Sequence, residues 1–138
     1  MFLIFDTETT GLPKRDGAPL TDFDNWPRMV QLAWQVHDEK GQFVEAQNHI
    51  VIPDGYEIPI SAKMVHGIST EHARKYGKPL SEVLDLFLQS AGKVQYLVGH
   101  NIGFDLNVLG TKLSQVRIWV VEAVQEVRPQ PIMLLLMQ

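Results

Sequence analysis

Two acidic residues near the amino terminus, Asp6 and Glu8, have the clearest capacity for chemistry in this sequence. They follow an apolar run, residues 2–5 (FLIF), which predicts a buried β-strand. Side chains two positions apart on a strand project from one face, with roughly 6.5 Å between their backbones, so the two carboxylates could hold a pair of divalent cations. The alternative is a strand that runs into a solvated acidic turn.

A third carboxylate, Asp105, stands at the edge of the apolar stripe of a predicted helix that Asn101 caps. The stripe consists of Ile102, Leu106, Leu109 and Leu113. Burying an unpaired carboxylate is unfavourable, and ligation of a metal would offset the loss of hydration. The alternative is a simple acid in the first turn, which the helix dipole favours.

The order of the predicted strands and helices that must position these carboxylates indicates an α/β layer fold with one mixed sheet. The predicted strands are an antiparallel meander at 1–6, 29–37 and 43–52, followed by a buried parallel strand at 96–99. The predicted helices are 61–65 and 69–76, each opened by a serine cap, and 79–91. A long loop at 11–26 follows the acid pair directly, as loops beside functional sites often do.

The chain changes character at Ser114. We expect residues 1–113 to form one domain and residues 114–138 an atypical tail. Within the tail, 116–127 is predicted as one amphipathic helix. We interpret this helix as packing on a core, with partner binding as the alternative.

Composition limits the classes of function. The 138 residues include no cysteine and carry a net charge of −4, which excludes disulfides and thiolate metal sites and argues against a broad basic surface for nucleic acid. Because we find no leader peptide and no apolar stretch of about twenty residues, we expect a cytoplasmic protein without a membrane segment. We interpret four basic residues as solvated surface charges, with contacts to phosphate as the alternative. They are Lys63, Arg74, Lys75 and Lys78.

Three motifs, taken in this order, resemble those of the DEDD-family 3′-to-5′ exonucleases. They are residues 5–11 (FDTETTG), 66–68 (HGI) and 99–105 (GHNIGFD). The likeness is strongest to the DnaQ-like members of the DEDDh branch, which include the proofreading epsilon subunit of bacterial DNA polymerase III. The resemblance implies a ribonuclease-H-like fold, with residues 1–113 as an incomplete exonuclease-like domain truncated at its carboxyl end.

The resemblance also implies a two-metal hydrolase that uses Mg²⁺ or Mn²⁺. Asp6 would bridge both ions, Glu8 would bind one and Asp105 the other, and water would attack the terminal phosphodiester at the 3′ end of a single strand and release nucleoside monophosphates. The terminal nucleotide would contact Thr7, Thr9, Thr10, Leu12, His66 and Phe104. For Phe104 core filling is an equal alternative, and His66 could be an ordinary turn histidine.

The sequence departs from the family pattern after Asp105. The DEDDh branch completes its site with a histidine followed five residues later by an aspartate, and neither residue type occurs after Asp105 here. The general base and one metal ligand would then be missing, so we expect a feeble or inactive enzyme, since loss of a general base costs about 10²–10⁴-fold in rate. A shifted reading frame, a truncated gene and a degenerate homologue would each produce this pattern.

Two other functions compete with an impaired exonuclease. One is a catalytically inactive remnant of the fold that binds nucleic acid or protein. The other is a phosphatase of the haloacid-dehalogenase type, whose acid-x-acid-x-threonine start is similar to residues 6–10, although Glu8 has the wrong length for it. The partners we expect are a single-stranded 3′ end, a DNA polymerase, and a second copy of the chain that meets an exposed apolar face or edge of the sheet.

Overall fold

A computed structural model describes residues 1–12, 14–15 and 27–99, together with the backbone of two later strands at 119–122 and 129–131. None of the helices in this described part of the chain has the length and apolarity needed to cross a membrane.

The described strands form one mixed sheet. They are β1 (Phe2–Thr9), β2 (Met29–His37), β3 (Phe43–Ile50), β4 (Tyr96–Gly99), β5 (Trp119–Glu122) and β6 (Pro129–Pro131). Their order across the sheet is β3-β2-β1-β4-β5-β6. The first three strands pair antiparallel, β4 pairs parallel with β1, β5 pairs parallel with β4, and β6 pairs antiparallel with β5. The predicted fold class, an antiparallel meander extended by a parallel strand and flanked by helices, is confirmed.

Three helices lie between β3 and β4: α1 (Ile60–His66), α2 (Thr70–Tyr76) and α3 (Leu80–Ala91). The predicted cap of α2 is confirmed, because the Ser69 side chain accepts a hydrogen bond from the backbone N–H of His72 at 3.1 Å. The predicted serine cap of α1 is wrong. That helix begins one residue before Ser61, because the carbonyl of Pro59 already accepts bonds from the N–H groups of Ala62 and Lys63.

The predicted helix at 116–127 is also corrected. Residues Trp119–Glu122 form β5, which pairs in parallel register with β4 from Tyr96 to Gly99. The physical reason is the local composition, since a β-branched and aromatic run gains more by completing a ladder beside a buried strand than by forming an isolated helix. The division into a domain at 1–113 and a tail at 114–138 stays a prediction.

The main core lies between α3 and one face of the sheet. Strand residues Leu3, Phe5, Leu32, Trp34 and Val36 meet helix residues Val83, Leu84 and Phe87. The ring of Phe87 makes edge contacts with Phe5 and Trp34 at centroid distances of 5.6 and 5.3 Å. The buried Trp34 Nε1–H donates to Ser90 Oγ at 3.0 Å, and Ser90 donates in turn to Glu45 at 2.8 Å, so the polar groups of this core are paired.

A second, smaller core fixes α1 and α2 at one end of the sheet. Its buried residues are Val30, Ile58, Ala62, Ile68 and Ala73. The Tyr56 hydroxyl closes this core by donating to the carbonyl of Met29 at 3.1 Å. Because Met29 pairs with Thr9, the two short helices are held at the end of the sheet where β1 finishes.

Candidate functional site

Strand alternation on β1 separates the core residues from the carboxylates. Leu3 and Phe5 are 0% and 4% exposed and face α3. Asp6 and Glu8 are out of phase with them and project from the opposite face, Asp6 exposed and Glu8 half-buried. The predicted pairing of these two side chains on one face of a strand is therefore present in the structure.

The two carboxylates have no basic partner among the residues that the structure describes. Asp6 accepts a hydrogen bond from the backbone N–H of Thr7 at 3.0 Å. In the described part of the chain, no lysine, arginine or histidine forms an ion pair with Asp6 or Glu8. Oxygen donors of this kind suit a hard divalent cation, so the residues present fit an Mg²⁺ or Mn²⁺ site.

The third predicted ligand, Asp105, lies outside the described residues, as does Phe104. Within residues 1–12, 14–15 and 27–99, no three acidic or histidine side chains cluster closely enough to bind a metal. The backbone of β4 does reach the same place, because Gly99 is opposite Phe5 in the parallel ladder. The chain therefore leaves the sheet one position away from the register of Asp6.

The predicted nucleotide-contact threonines already have structural roles or point elsewhere. The Thr9 hydroxyl donates to the carbonyl of Gly11 at 2.7 Å. The Thr10 hydroxyl accepts from the N–H of Arg28 at 2.9 Å, and the Thr10 N–H donates to the Arg28 carbonyl at 2.9 Å. Thr7 is in phase with the core residues of β1 and lies opposite Leu32, so its side chain is not on the carboxylate face. Leu12 is 82% exposed beyond the end of the strand.

Among the predicted nucleotide-contact residues, His66 has the most specific geometry. It ends α1, and Gly67 follows in the left-handed conformation with a φ of 78°, which favours glycine. This turn brings the N–H of Ile68 to His66 Nδ1 at 3.1 Å. Nδ1 can accept this bond only when it carries no proton, and the ring would then donate through Nε2. That Nε2 is buried and has no hydrogen-bond partner among the described residues, which is unusual for a buried polar atom.

A model of the exonuclease family (RNase_T) matches residues 3–130. The chain belongs to this exonuclease family. The match extends past Ser114 into the stretch that contains β5. A search of curated proteins returned no match for the exonuclease chain.

Solved structures share the exonuclease fold. E. coli exonuclease I in complex with a dT13 oligonucleotide is 24% identical with a TM-score of 0.60, and the alignment covers 83% of this chain and 23% of that one. The zinc-bound form of the E. coli exonuclease I complex with single-stranded DNA gives the same values. A product-bound structure of exonuclease I is 24% identical with a TM-score of 0.61, covering 83% and 25%. This chain thus spans about a quarter of the length of those proteins, and the likeness shows a ribonuclease-H-like exonuclease fold.

Sequence reasoning missed the open cleft beside the carboxylates of this exonuclease domain. A cleft of about 520 Å³ reaches from Asp6 across β2 and β3, with Ala33 and Ala46 on its floor and Gln35 and Asn48 beside them. Nearer to Glu8, the side chain of Gln31 donates to Asn48 at 2.7 Å. The alternation of small or amide side chains with the core residues of β2 is the sequence signal that could have revealed this face.

Two of the described residues, Tyr56 and His49, have pKa values shifted from the ordinary values of their side chains. Burial raises the pKa of Tyr56, Asp54 adds to the effect and Arg28 opposes it, so the hydroxyl stays protonated and keeps its bond to Met29. Burial also lowers the pKa of His49, with a further contribution from Lys78 and opposition from Glu82. Both residues position the sheet and its helices rather than contact the carboxylates.

Proposed function

We propose that this exonuclease domain hydrolyses the terminal phosphodiester at the 3′ end of single-stranded nucleic acid, with two divalent cations, Mg²⁺ or Mn²⁺, held by Asp6, Glu8 and Asp105. The observation that carries the proposal is the pair of carboxylates on the outer face of β1 without a basic partner among the described residues. Two unneutralised like charges on one strand are unfavourable, and bound cations would reverse that repulsion.

The chain's own residues would place the 3′ end against the carboxylates. His66 Nε2–H would donate to an oxygen of the terminal sugar or to the base, and its orientation is fixed by the Ile68 N–H bond. The turn after β1, held by Thr9 and Thr10, would offer backbone contacts together with Thr7, and Leu12 and Phe104 would pack on the base. Bound cations would supply an activated water and offset the negative charge on the departing oxygen. In the reaction a P–O bond to water forms, the bond from phosphorus to the 3′ oxygen breaks, and that oxygen takes up a proton.

A DnaQ-like proofreading role is part of the proposal, with a DNA polymerase as the partner. Self-association is also proposed, through β3, which is the last strand on its side of the described sheet. Phe43 and Val44 on this strand are 62% and 49% exposed. Light scattering after size-exclusion chromatography should show a dimer that Phe43→Lys weakens, and a monomer for the wild type would contradict self-association.

The rate should be low. After Asp105 the sequence contains neither the histidine nor the aspartate that the DEDDh pattern places there. Without a side chain that removes the proton from water, turnover should lie about 10²–10⁴-fold below that of a complete site. The competing function, a binding remnant without turnover, predicts binding of nucleic acid with no product.

The experiment compares wild type with Asp6→Asn, Glu8→Gln and the matched control Glu39→Gln. Glu39 is exposed on the turn between β2 and β3, so its substitution removes the same charge at a distance from the site. Mononucleotide release from a labelled single strand with Mn²⁺ should occur in wild type and the control and disappear in the two site variants. Release that persists in Asp6→Asn would contradict the proposal.

A second measurement does not depend on activity. Mn²⁺ at about 100 times its dissociation constant should stabilise the wild type by about 2.7 kcal/mol in thermal or urea unfolding, since it binds only the folded state. The Glu39→Gln control should keep this stabilisation, and Asp6→Asn should lose it. An equal Mn²⁺ effect in all variants would show that the cation binds elsewhere.

A further inference from the structure

Positive charge is concentrated in one part of an otherwise acidic chain. The net charge of the protein is −4, yet residues 63–78 contain four lysine or arginine residues and a single acid, Glu71. Lys78 pairs with Glu82 at 3.4 Å, and Lys93, outside this segment, pairs with Glu45 at 3.7 Å. In contrast, no acid in the described residues forms an ion pair with Arg74 or Lys75, so these cations are free to meet an external anion.

One face of α2 combines one of these cations, Lys75, with aromatic rings, and Arg74 projects from the neighbouring flank of the helix. His72, Lys75 and Tyr76, which we call the α2 ridge, are spaced so that they share an exposed stripe of the helix, while Thr70 and Ala73 are buried. The His72 and Tyr76 rings lie 4.8 Å apart, and Lys75 Nζ lies 5.2 Å from the centre of the Tyr76 ring. The ring thus helps to hold the ammonium group in place.

The α2 ridge stands on one of the two short helices at the end of the sheet where β1 finishes. Its helix begins four residues after His66, and the second core fixes both helices on Val30. Its far end is bound to the sheet, because Lys78 exchanges backbone hydrogen bonds with Ile50 and Ile52. A seven-residue helix is about 10 Å long, which corresponds to about three nucleotides at a rise of 3.4 Å each.

We propose that the α2 ridge, together with Arg74, binds the backbone and one base of single-stranded nucleic acid on the 5′ side of the terminal nucleotides. The position of the ridge relative to the strand end rests on the proposed function. Phosphates would meet Arg74 and Lys75, and a base would stack on Tyr76, whose ring is 61% exposed. A cation beside an accessible ring is the arrangement by which proteins bind single strands without sequence preference.

The test measures binding of fluorescent dT12 and dT2 in Ca²⁺ over a range of salt concentrations. Arg74→Gln/Lys75→Gln should raise the Kd for dT12 about tenfold at low salt and reduce the slope of log Kd against log salt by about 1.4, since each lost phosphate contact removes about 0.7. Binding of dT2, which is too short to reach the ridge, should not change. Lys40→Gln, on the turn between β2 and β3, is the matched control and should behave as wild type.

The aromatic contribution has its own pair of variants. Tyr76→Leu should weaken dT12 binding about fivefold or more with no change in the salt slope, and Tyr76→Phe should restore it, because stacking needs only the ring. Circular dichroism checks that each variant is folded. A wild-type salt slope in Arg74→Gln/Lys75→Gln would overturn the proposal, as would a folded Tyr76→Leu that binds dT12 like the wild type.

The outcomes separate this inference from the proposed function. If hydrolysis requires Asp6 but the ridge variants bind dT12 normally, the ridge inference is wrong and the nuclease proposal stands. If no hydrolysis occurs but the slope of log Kd against log salt falls in Arg74→Gln/Lys75→Gln, the ridge binds nucleic acid and the nuclease proposal fails. Tighter binding of polyglutamate than of dT12, with the same dependence on Arg74 and Lys75, would assign the ridge to an acidic protein and overturn the inference.

Discussion

A methyl group added at Gly77 should disturb the place where α2 meets the sheet. Gly77 has φ −77° and ψ 167°, so the backbone conformation itself suits any residue. Space is what is lacking, because a Cβ atom there would lie 2.4 Å from the carbonyl oxygen of Ala73 and 2.8 Å from the backbone nitrogen of Ile52. Real Cβ contacts stay above 3.0 Å, and both neighbours are backbone atoms that cannot rotate away.

The magnitude follows from the hydrogen bonds that must move. The Gly77 N–H donates to Ala73 at 2.8 Å, the Ile52 N–H donates to Lys78 at 2.9 Å, and the Lys78 N–H donates to Ile50 at 2.8 Å. Each such bond contributes about 0.5–1.5 kcal/mol. Loss of two or three of them in Gly77→Ala should reduce the free energy of unfolding by about 1–4.5 kcal/mol.

Gly92→Ala is the matched control, since it adds the same methyl group at the end of α3. The new Cβ would meet its nearest atom at 3.4 Å, and Gly92 has helical angles of −65° and −15°. This variant should be unchanged or gain up to about 1 kcal/mol, because alanine restricts the unfolded chain. Urea unfolding followed by tryptophan fluorescence measures both. A Gly77→Ala value within about 0.5 kcal/mol of wild type, or an equal loss in Gly92→Ala, would refute the steric reasoning.

Three further predictions concern the cores that position the site. Ser90→Ala should cost about 1–3 kcal/mol in urea unfolding, since it leaves the buried Trp34 N–H without its acceptor; a neutral result would contradict this. The lowered pKa of His49 means that the unfolded chain binds a proton first as the pH falls. The free energy of unfolding should therefore be highest above about pH 6.5 and decline as the pH falls towards the lowered pKa. Urea unfolding measured from pH 5 to 8 should show this decline in the wild type and a smaller one in His49→Gln. Ile68→Ala should cost about 2–5 kcal/mol and, by loosening the turn that orients His66, weaken dT2 binding, whereas unchanged dT2 binding would separate that turn from the site.

Local sequence patterns were sufficient to predict the features that depend on a single strand or helix. The alternation of β1 predicted that Asp6 and Glu8 project together, and the periodicity of residues 79–91 predicted the helix α3, both of which the structure has. These features follow from the geometry of a single strand or helix. The same reasoning could not reveal that the hydroxyl of Thr10 is bonded to a backbone group, because Arg28 reaches Thr10 only through strand pairing.

The remaining differences come from contacts between distant segments. Residues 119–122 gain a buried strand as neighbour, which outweighs their helical amphipathicity. The position of His66 depends on Val30 and Ala73, which are far apart in the chain and meet only in the second core.

By itself, the sequence determined the types of chemical group present, their spacing along each element and the faces that single elements bury, because these are properties of neighbouring residues. The tertiary structure alone decided which groups share one end of the sheet. It brought the α1–α2 pair to the end of β1 through burial of apolar side chains, an interaction that depends on total area removed from water and leaves no local pattern in the chain.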